Sequence, residues 1–251
     1  MLLAIDVGNT DTVLGLYEGA ELRDNWRIAT EARRTGDELG VLFGGLVDLD
    51  SVDGIVLSTT VPARVRAYTL FAERWANAPL LVVGPGVSSG IPIRYDDPRE
   101  VGPDRIANAV AAKERYGSPC IVVDFGTSTN FDVVSPDGDY VGGVLAPGVE
   151  ISMDALFARA ARLFRVDFVA PPTVIGKTTQ SALQSGFVYG FAGQVDAIVE
   201  RIRDELSAEA PTVATGGLAE LVVPHTRTIE TVDVFLTLEG LRVIWGRNPT
   251  P

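Results

Sequence analysis

The stretch Ile121–Val134, IVVDFGTSTNFDVV, carries the pattern on which the fold depends. Three β-branched residues lead into Asp124, Gly126 follows two residues later, and small hydroxyl and amide side chains precede a second apolar run. This pattern predicts two strands joined by a tight polar turn, in which Gly126 supplies the backbone freedom. Backbone N–H groups and hydroxyls in such a turn favour an oxyanion as ligand. The carboxylate of Asp124 would repel phosphate, so the pattern also indicates a cation beside it.

The same pattern occurs near the start of the chain. Leu2–Tyr17 reads LLAIDVGNTDTVLGLY, an apolar strand followed by Asp6, Gly8, a polar turn and a second alternating strand. The segment AIDVGNTDTVLGL aligns with VVDFGTSTNFDVV, and an internal repeat of this kind predicts two related halves that face each other across a cleft.

Either turn taken alone is compatible with a plain hairpin. The recurrence of the acid-containing turn, together with a third glycine turn at Thr215-Gly216-Gly217, favours a bound nucleotide. We expect the first two turns to hold its phosphates and the third to hold its adenosine end.

Composition excludes several classes of function. The chain has 251 residues, 46% of them hydrophobic, and a formal net charge of −12, so nucleic-acid binding is disfavoured. No apolar run approaches the ~20 residues of a membrane span. With one histidine, His225, a histidine-based metal site or Ser–His–Asp triad is close to excluded, and we interpret His225 as a surface loop residue. The single cysteine, Cys120, is interpreted as a small core residue, and the predicted location is cytoplasmic.

Periodicity predicts a mixed sheet with helices in each half. The first half reads βββαβαβ, with a capping box at Thr35–Glu38 starting a helix to about Val47 and Pro62 opening a second helix through Trp75. An alanine-rich helix is expected at 106–113, and the domain boundary is placed so that residues 1–116 form one domain and 117–251 the other. The second half is expected to contain a hairpin over 131–145 and helices at 151–164, 181–206 and 234–245.

The segment Gly102-Pro103-Asp104-Arg105 has two interpretations from spacing alone. Asp104 could cap the helix that follows, which is worth ~1 kcal/mol. Alternatively, its carboxylate could accept the proton of a substrate hydroxyl while that oxygen attacks a γ-phosphoryl group, with Arg105 binding a carboxylate or phosphate.

Seven motifs, in order along the chain, together resemble the type III pantothenate kinases. They are DVGNT (6–10), VGPDR (101–105), DFGTSTNFD (124–132), GGVLAPG (142–148), IGKTTQSALQSG (175–186), ATGGLA (214–219) and LTLEGLRVIWGRN (236–248).

The resemblance implies an α/β protein of the acetate kinase, sugar kinase, Hsp70 and actin superfamily. It implies two ribonuclease-H-like (actin-like ATPase) domains, each a mixed five-stranded sheet with helices, and a homodimer. The implied activity is ATP-dependent phosphorylation of pantothenate to 4′-phosphopantothenate, the first step of coenzyme A biosynthesis. The implied cofactors are Mg²⁺ or another divalent cation with ATP, and K⁺ or NH₄⁺; no nucleic acid and no membrane are implied as partners.

The resemblance also assigns roles by position. Asp104 is the implied proton acceptor, Asp124 the implied ligand of the monovalent cation, and Asp6 is implied to lie near Mg²⁺. The implied ATP-binding residues are Asp6, Val7, Gly8, Asn9, Thr10, Asp11, Thr12, Val13, Thr127, Gly216 and Gly217. The implied pantothenate-binding residues are Tyr95, Gly102, Pro103, Asp104, Arg105 and Thr179, the last of them acting across the dimer interface.

Three positions depart from the usual family pattern. Ser128 and Asn130 stand where the family usually has Ala and Thr, and Thr178 stands where Asn is common. Two other functions stay open: a non-catalytic or regulatory relative with the same fold, and a kinase for another small alcohol. The complete GPDR segment and the position of Tyr95, nine residues before Asp104, argue against the second of these.

Overall fold

The computed structural model describes residues 1–31, 33–160 and 163–248. The chain forms two compact units. One unit contains Met1–Ala111 and Phe235–Pro251, of which 235–248 are described at the C-terminal end, and the other contains Ala112–Val234. No helix in these described ranges is long and apolar enough to cross a membrane.

The first unit is built on a mixed five-stranded sheet with the order β3-β2-β1-β4-β5. The central strand β1 pairs antiparallel with β2 and parallel with β4. The strands are β1 (Leu2–Val7), β2 (Asp11–Glu18), β3 (Glu21–Ala29), β4 (Gly54–Thr59) and β5 (Leu80–Val82). The helices are α1 (Gly36–Gly44), α2 (Val65–Phe71), α3 (Pro103–Tyr116), which continues into the second unit, and α7 (Leu236–Gly246).

Helices cover both faces of this sheet because its strands are apolar on both sides. Leu3 and Ile5 of β1 pack with Phe43 of α1 and Phe71 of α2 in one buried cluster. Helix α7 contacts β1, β2 and β4 on the other face. Its four apolar residues are at most 1% exposed, which confirms the predicted inward face: Leu236, Leu238, Leu241 and Ile244.

The second unit repeats this plan with the order β10-β9-β6-β7-β8. Strand β6 is antiparallel to β7 and parallel to β9, as β1 is to β2 and β4. The elements are β6 (Cys120–Phe125), β7 (Ser128–Val134), β8 (Tyr140–Pro147), α4 (Val149–Arg159), α5 (Thr179–Leu206), β9 (Thr212–Thr215), α6 (Ala219–Val222) and β10 (Thr231–Val232). The sequence repeat therefore corresponds to a repeat of structure.

Several helices begin or end at residues other than those that the sequence predicted. The capping box at Thr35 is present, but α1 ends at Gly44 rather than near Val47. The helix expected from Pro62 to Trp75 is divided into a 3₁₀ turn at Pro62–Arg64, α2, and a π-helical turn at Ala72–Ala76. The helix expected at 151–164 ends at Arg159, and residues 161–162 lie outside the described residues. The alanine-rich helix begins at Pro103, three residues earlier than expected, so Asp104 lies on its first turn.

The C-terminal segment was expected in the second domain, but its contacts are with the first sheet. Helix α7 packs on β1, and Phe235 begins the second part of the first unit. An apolar helix face does not specify which sheet it will cover, so this pairing is a property of the tertiary structure. The boundary after residue 116 stays a prediction, and contacts divide the chain after Ala111.

The single cysteine and the single histidine have different surroundings. Cys120 is fully buried, as expected, and burial raises the pKa of its thiol to about 12. His225 was expected in a surface loop, but it lies half-buried in a 3₁₀ turn and its ring packs edge-on against Tyr189.

Candidate active site

The turn between β1 and β2 is held by three hydrogen bonds to its backbone. The Gly8 N–H donates to the Asp11 carbonyl at 2.9 Å, and the Thr30 N–H donates to the Thr10 carbonyl at 2.8 Å. The Arg64 guanidinium donates from Nη1 to the Gly8 carbonyl at 3.1 Å. The turn is therefore fixed by its own strands, by β3 and by a side chain from the start of α2.

The expected ATP-binding residues of this segment divide by burial. Asn9 and Thr10 are exposed at the tip of the turn. Val7 and Thr12 are each 1% exposed beneath it, and the Thr12 hydroxyl hydrogen-bonds the Thr30 hydroxyl. The remaining four residues flank the tip: Asp6 on β1, Gly8 in the turn, and Asp11 and Val13 on β2.

Asp6 has a buried hydroxyl as its neighbour across the sheet. Asp6 on β1 and Ser58 on β4 are partners in a parallel register, so both side chains project from the same face. Ser58 is 0% exposed, and its Oγ has no hydrogen-bond partner among the residues that the structure describes. Burying an unpartnered hydroxyl costs about 1–3 kcal/mol, which singles out this position.

Asp104 is a half-buried acid in which one carboxylate oxygen is buried and unsatisfied. Its Oδ1 is buried and has no hydrogen-bond partner in the described parts of the chain. Burial raises the pKa of Asp104, and the backbone N–H groups of Asp104 and Arg105, with the Arg105 charge, offset only part of that effect. A carboxylate in such a position is a stronger base than an exposed one.

Asp196 shows what a structural buried acid looks like in the same chain. It is 3% exposed, and burial acts to raise its pKa. Hydrogen bonds from the backbone and side chains of Arg227 and Thr228, at 2.8–3.1 Å, outweigh that effect and lower the pKa. At Asp104 the effect of burial outweighs that of the backbone hydrogen bonds, so the pKa is raised instead.

The residues around Asp104 leave room only for a small neighbour. A Cβ on Gly102 would lie 2.3 Å from Asp104 Oδ1, so a larger residue would displace the carboxylate. Pro103 occupies the first turn of α3, where its missing N–H costs nothing, and Arg105 is 7% exposed. Tyr95 is half-buried in the loop before this helix.

The turn between β6 and β7 is held mainly by backbone packing. The Gly126 N–H donates to the Ser128 carbonyl at 3.0 Å, and the Ser128 hydroxyl donates to Asn130 Oδ1 at 2.7 Å. A Cβ on Gly148 would lie 2.2 Å from the Thr127 carbonyl oxygen and 2.7 Å from that of Gly126. The end of β8 therefore lies directly against the turn, while the Thr127 residue is exposed.

The third glycine turn approaches the same acid. Gly216 has a φ of +92°, and a Cβ there would lie 2.5 Å from Asp124 Oδ1 and 2.6 Å from the Phe125 carbonyl oxygen. Both the backbone conformation and the close approach require glycine at this position. Gly217 follows it and is exposed. Within the second unit, the structure thus brings Asp124 and the Gly216-Gly217 turn together.

Thr179 belongs to a helix of the second unit and not to either turn. It is the first residue of α5 and is exposed. The preceding residue, Thr178, caps the helix in a reciprocal box with Ser181, at 3.1 Å in each direction. Thr178 therefore fixes the start of the helix that presents Thr179.

The carboxylates near the turns could bind a hard cation whose remaining ligands are phosphate oxygens and water. Among the described residues, no three His, Cys, Asp or Glu side chains are grouped so that they could hold a metal ion alone. Mg²⁺ usually takes one or two carboxylates and completes its shell with phosphate oxygens and water. The carboxylate of Asp6, at the end of β1 beside an exposed turn, fits that requirement.

Sequence reasoning missed three residues that contribute to these turns. Arg64, Ser58 and Gly148 lie far in sequence from the turn residues that they contact or face. The only local signal was the Pro147-Gly148 dipeptide, which predicted a loop.

The model of the family described as type III pantothenate kinase matches residues 2–201. The type III pantothenate kinase of Acidothermus cellulolyticus is 55% identical over 253 aligned positions, which cover 99% of this chain and 99% of that protein.

Two solved structures with low sequence identity share the fold. The ethanolamine utilization protein EutJ from Carboxydothermus hydrogenoformans has a TM-score of 0.58 at 14% identity, over 96% of this chain and 89% of that one. The inorganic polyphosphate/ATP-glucomannokinase from Arthrobacter has a TM-score of 0.51 at 14% identity, over 98% and 99%. These similarities and the two mixed five-stranded sheets confirm the predicted fold of two ribonuclease-H-like domains.

The family match covers most of the chain, and the related sequence is similar over its whole length. The two acid-containing turns and the Asp104 helix lie within the matched residues. The chain belongs to the type III pantothenate kinase family.

Proposed function

We propose that this protein transfers the γ-phosphoryl group of ATP to the 4′-hydroxyl of pantothenate, the first step of coenzyme A biosynthesis. Family membership supports the reaction. The observation that carries the proposal within the chain itself is Asp104, a half-buried acid with a raised pKa and a buried Oδ1 that has no hydrogen-bond partner among the described residues.

Asp104 is the proposed general base. Its carboxylate accepts the hydroxyl proton as the pantothenate oxygen forms a bond to the γ-phosphorus, while the bond from that phosphorus to the β–γ bridging oxygen breaks and ADP leaves. The raised pKa strengthens the base, and the buried Oδ1 is free of competing donors among the described residues.

The proposed phosphate ligands are the two acid-containing turns. In the first, Asp6 to Val13 form the binding segment, with Asn9 and Thr10 exposed at its tip. In the second unit, Thr127 is proposed to contact ATP, and Gly216 and Gly217 to hold its adenosine end. Glycine-rich turns suit these roles because they let a nucleotide approach the backbone.

Pantothenate is proposed to contact Tyr95, the Gly102–Arg105 segment and Thr179. Arg105 is the candidate partner for the pantothenate carboxylate, because a guanidinium binds a carboxylate through two parallel hydrogen bonds. The unpartnered oxygen of the neighbouring Asp104 supports a substrate hydroxyl nearby.

Two cations are proposed. A divalent cation, Mg²⁺ by preference, accompanies ATP and neutralises its phosphates beside Asp6. K⁺ or NH₄⁺ is assigned to Asp124. This assignment is supported by the carboxylate and carbonyl oxygens of Asp124 and Phe125, which both lie within 2.6 Å of where a Gly216 Cβ would stand.

A homodimer is proposed from the surface of the second unit. Large apolar residues are exposed there, and a Cβ on Gly186, Gly190 or Gly193 of α5 would meet no atom within 4 Å. Exposed apolar surface of this kind marks a protein interface, and small residues allow close helix contact. The exposed residues include Leu145 (62%), Ile151 (52%), Val169 (56%), Val174 (66%) and Ile175 (81%). Sedimentation tests the dimer, and a monomer would leave Thr179 without its proposed role.

The proposed location is the cytoplasm, because the substrate ATP is made and used there. Cell fractionation checks this location.

An ATP-coupled assay with pantothenate, Mg²⁺ and K⁺ tests the proposed reaction. Asp104→Asn should lower the rate by ~10²–10⁴ because it removes the base. Asp137→Asn, in an exposed hairpin turn, is the matched control and should leave the rate unchanged. Activity near wild type in the Asp104 variant would reassign that residue to a structural role.

The two alternatives have distinct results in the same assay. No turnover with pantothenate or any related alcohol would identify a non-catalytic relative. Turnover of another small alcohol in preference to pantothenate would identify a different kinase.

A further inference from the structure

The turn between β1 and β2 has two carbonyl groups that accept hydrogen bonds from residues outside the turn. The Thr10 carbonyl accepts from the Thr30 backbone at 2.8 Å, which is part of the pairing between β2 and β3. The Gly8 carbonyl accepts instead from a side chain, Arg64 Nη1 at 3.1 Å, which comes from a position 56 residues away in the chain.

A fixed carbonyl also fixes the N–H of the next residue. The Gly8 C=O and the Asn9 N–H belong to one planar trans peptide unit, so they point in opposite directions. Because the Gly8 carbonyl faces Arg64 at the start of α2, the Asn9 N–H faces away from α2. Asn9 is an exposed residue at the tip of the turn, so a ligand can approach this peptide.

The Gly8 N–H cannot serve the same purpose, because it already donates to the Asp11 carbonyl at 2.9 Å. The orientation of the peptide between Gly8 and Asn9 therefore determines whether the turn presents a donor at its tip. Without Arg64, this peptide has no side-chain restraint among the described residues and can rotate, as exposed turn peptides do.

The side chain of Arg64 is itself positioned by the first unit. It is half-buried and lines a cavity of about 10 Å³ together with Thr12, Thr30 and Tyr68. Burial raises the pKa of Tyr68, which keeps its hydroxyl protonated beside the Thr12 side chain. Arg64 is thus partly enclosed by residues of the first unit.

We propose that Arg64 is a positioning residue for nucleotide binding, which orients the Gly8–Asn9 peptide so that the Asn9 N–H is presented to a phosphate oxygen. This inference rests on the proposed ATP-dependent reaction. Arg64 acts through the backbone of the turn and needs no contact with the nucleotide.

Direct binding of the guanidinium to phosphate is a different role for the same residue, and it predicts a different result before any nucleotide is added. If Arg64 acts through the peptide, Arg64→Ala changes the Asn9 amide in the nucleotide-free protein. If Arg64 contacts phosphate alone, the Asn9 amide changes only when nucleotide is present.

The experiment compares wild type with Arg64→Ala, Arg64→Lys and Arg66→Ala by three measurements. Arg66 is exposed and lies two residues further along, so its variant is a matched control for loss of a positive charge. The measurements are the ¹H–¹⁵N resonance and hydrogen-exchange rate of the Asn9 amide without nucleotide, the affinity for a non-hydrolysable ATP analogue by calorimetry, and the KM values for ATP and pantothenate.

We expect Arg64→Ala to shift the Asn9 amide and to speed its exchange without nucleotide. We expect it to weaken the affinity for the analogue by about 10- to 100-fold, the range for a lost hydrogen bond to a charged group such as a phosphate. KM for ATP should rise while KM for pantothenate stays within about twofold. Arg64→Lys, which keeps a charged donor of similar reach, should recover most of the affinity, and Arg66→Ala should behave as wild type.

Three results would overturn the proposal. The first is an unchanged Asn9 amide in nucleotide-free Arg64→Ala, which would assign direct phosphate contact. The second is a lower free energy of unfolding with unchanged analogue affinity, which would assign a purely structural role. The third is an equal loss in Arg66→Ala, which would assign a general charge effect. Failure of the wild type to bind the analogue would instead refute the proposed function, and the amide measurement would still test the role of Arg64.

Discussion

The two acid-containing turns have the same strand pairing and are held by different means. In the first unit, Asp6 lies across from Ser58 on a parallel strand, and in the second, Asp124 lies across from Thr215 in the same relation. The first turn is fixed by hydrogen bonds, one of them from the Arg64 side chain. The second is fixed by the close approach of backbone at Gly148 and Gly216.

This difference teaches how a repeated element can take different roles. The first turn keeps some freedom to adjust at its tip, because one side-chain hydrogen bond, at 3.1 Å, restrains the peptide between Gly8 and Asn9. A turn packed against backbone at two glycines has no room to adjust. We therefore expect mutations to affect the second turn through steric strain and the first through lost hydrogen bonds.

The largest expected contrast comes from adding one methyl group to each turn. Gly148→Ala places a Cβ 2.2 Å from the Thr127 carbonyl, which forces backbone to move, whereas Gly8→Ala places one 3.0 Å from the Asp11 carbonyl. We expect Gly148→Ala to lower the free energy of unfolding by about 1–3 kcal/mol and to raise KM for ATP about 10- to 100-fold. Gly8→Ala should cost less than about 1 kcal/mol. Urea unfolding and ATP titrations measure both; equal effects would show that the turns are equally rigid.

The cation response should distinguish the acids of the two turns. Activity should rise sharply when Na⁺ is replaced by K⁺ or NH₄⁺, and Asp124→Ala should flatten that response because it removes a charged ligand. The apparent affinity for K⁺ should fall by at least about 10-fold. Asp6→Ala is the control from the other turn: it should lower activity and keep the preference for K⁺. A preserved K⁺ response in Asp124→Ala would place the monovalent cation elsewhere.

Asp104 lies on α3 and belongs to neither turn. Its titration should be visible in both activity and stability. Burial raises its pKa in the folded protein above the unfolded value of about 3.9, so the folded state binds more protons in the interval between these values. Stability therefore falls as pH rises through that interval, and the cost stays in full at neutral pH. We expect the free energy of unfolding of Asp104→Asn at pH 7 to be higher than that of wild type by about 1 kcal/mol, as measured by urea unfolding.

The same titration should govern the rate. Activity should fall about tenfold per pH unit below the raised pKa, because the base must be deprotonated. A variant less stable than wild type at pH 7, together with a pH-independent rate, would show that Asp104 is a charged structural residue.

The smallest expected effect comes from the hydroxyl beside Asp6. Ser58→Ala removes a buried oxygen that has no partner in the described chain, so it should raise the free energy of unfolding by about 1 kcal/mol. Ser185→Ala is the matched control, since the Ser185 hydroxyl donates to the Val174 carbonyl at 2.6 Å and its loss should destabilise by a similar amount. Thermal unfolding of both variants without ligand shows whether each substitution raises or lowers the free energy of unfolding. Destabilisation in both would mean that Ser58 makes a hydrogen bond in solution.

Much of the fold was predictable because it depends on local pattern. An apolar run located β1 at Leu2–Val7, and the capping box at Thr35 located the start of α1. The repeat around Asp6 and Asp124 predicted two related sheets, which have the same strand order relative to their central strands. These features are encoded within a few residues, so sequence spacing is enough to find them.

The candidate site was predictable only in part. The sequence identified the Asp104 segment but left its role divided between a helix cap and a base. Its position on the first turn of α3 and its buried, unpartnered Oδ1 differ from those of Thr35, an N-cap whose hydroxyl accepts a helix N–H, so the role of base is a proposal. No sequence pattern near Gly8 could predict its contact with Arg64, because the two residues are 56 positions apart and the contact leaves no signal in the residues around either of them.

The sequence by itself determined the two acid-containing turns, the strands that carry them and the apolar faces of the helices, because each depends on alternation, capping or turn chemistry over a short stretch. Only the tertiary structure decided that α7 covers the first sheet, that Gly148 lies against the turn at Thr127, and that Asp104 has a buried Oδ1 and a raised pKa. These properties depend on which apolar surfaces meet and which polar atoms lose water. That outcome is set by packing between residues far apart in the chain.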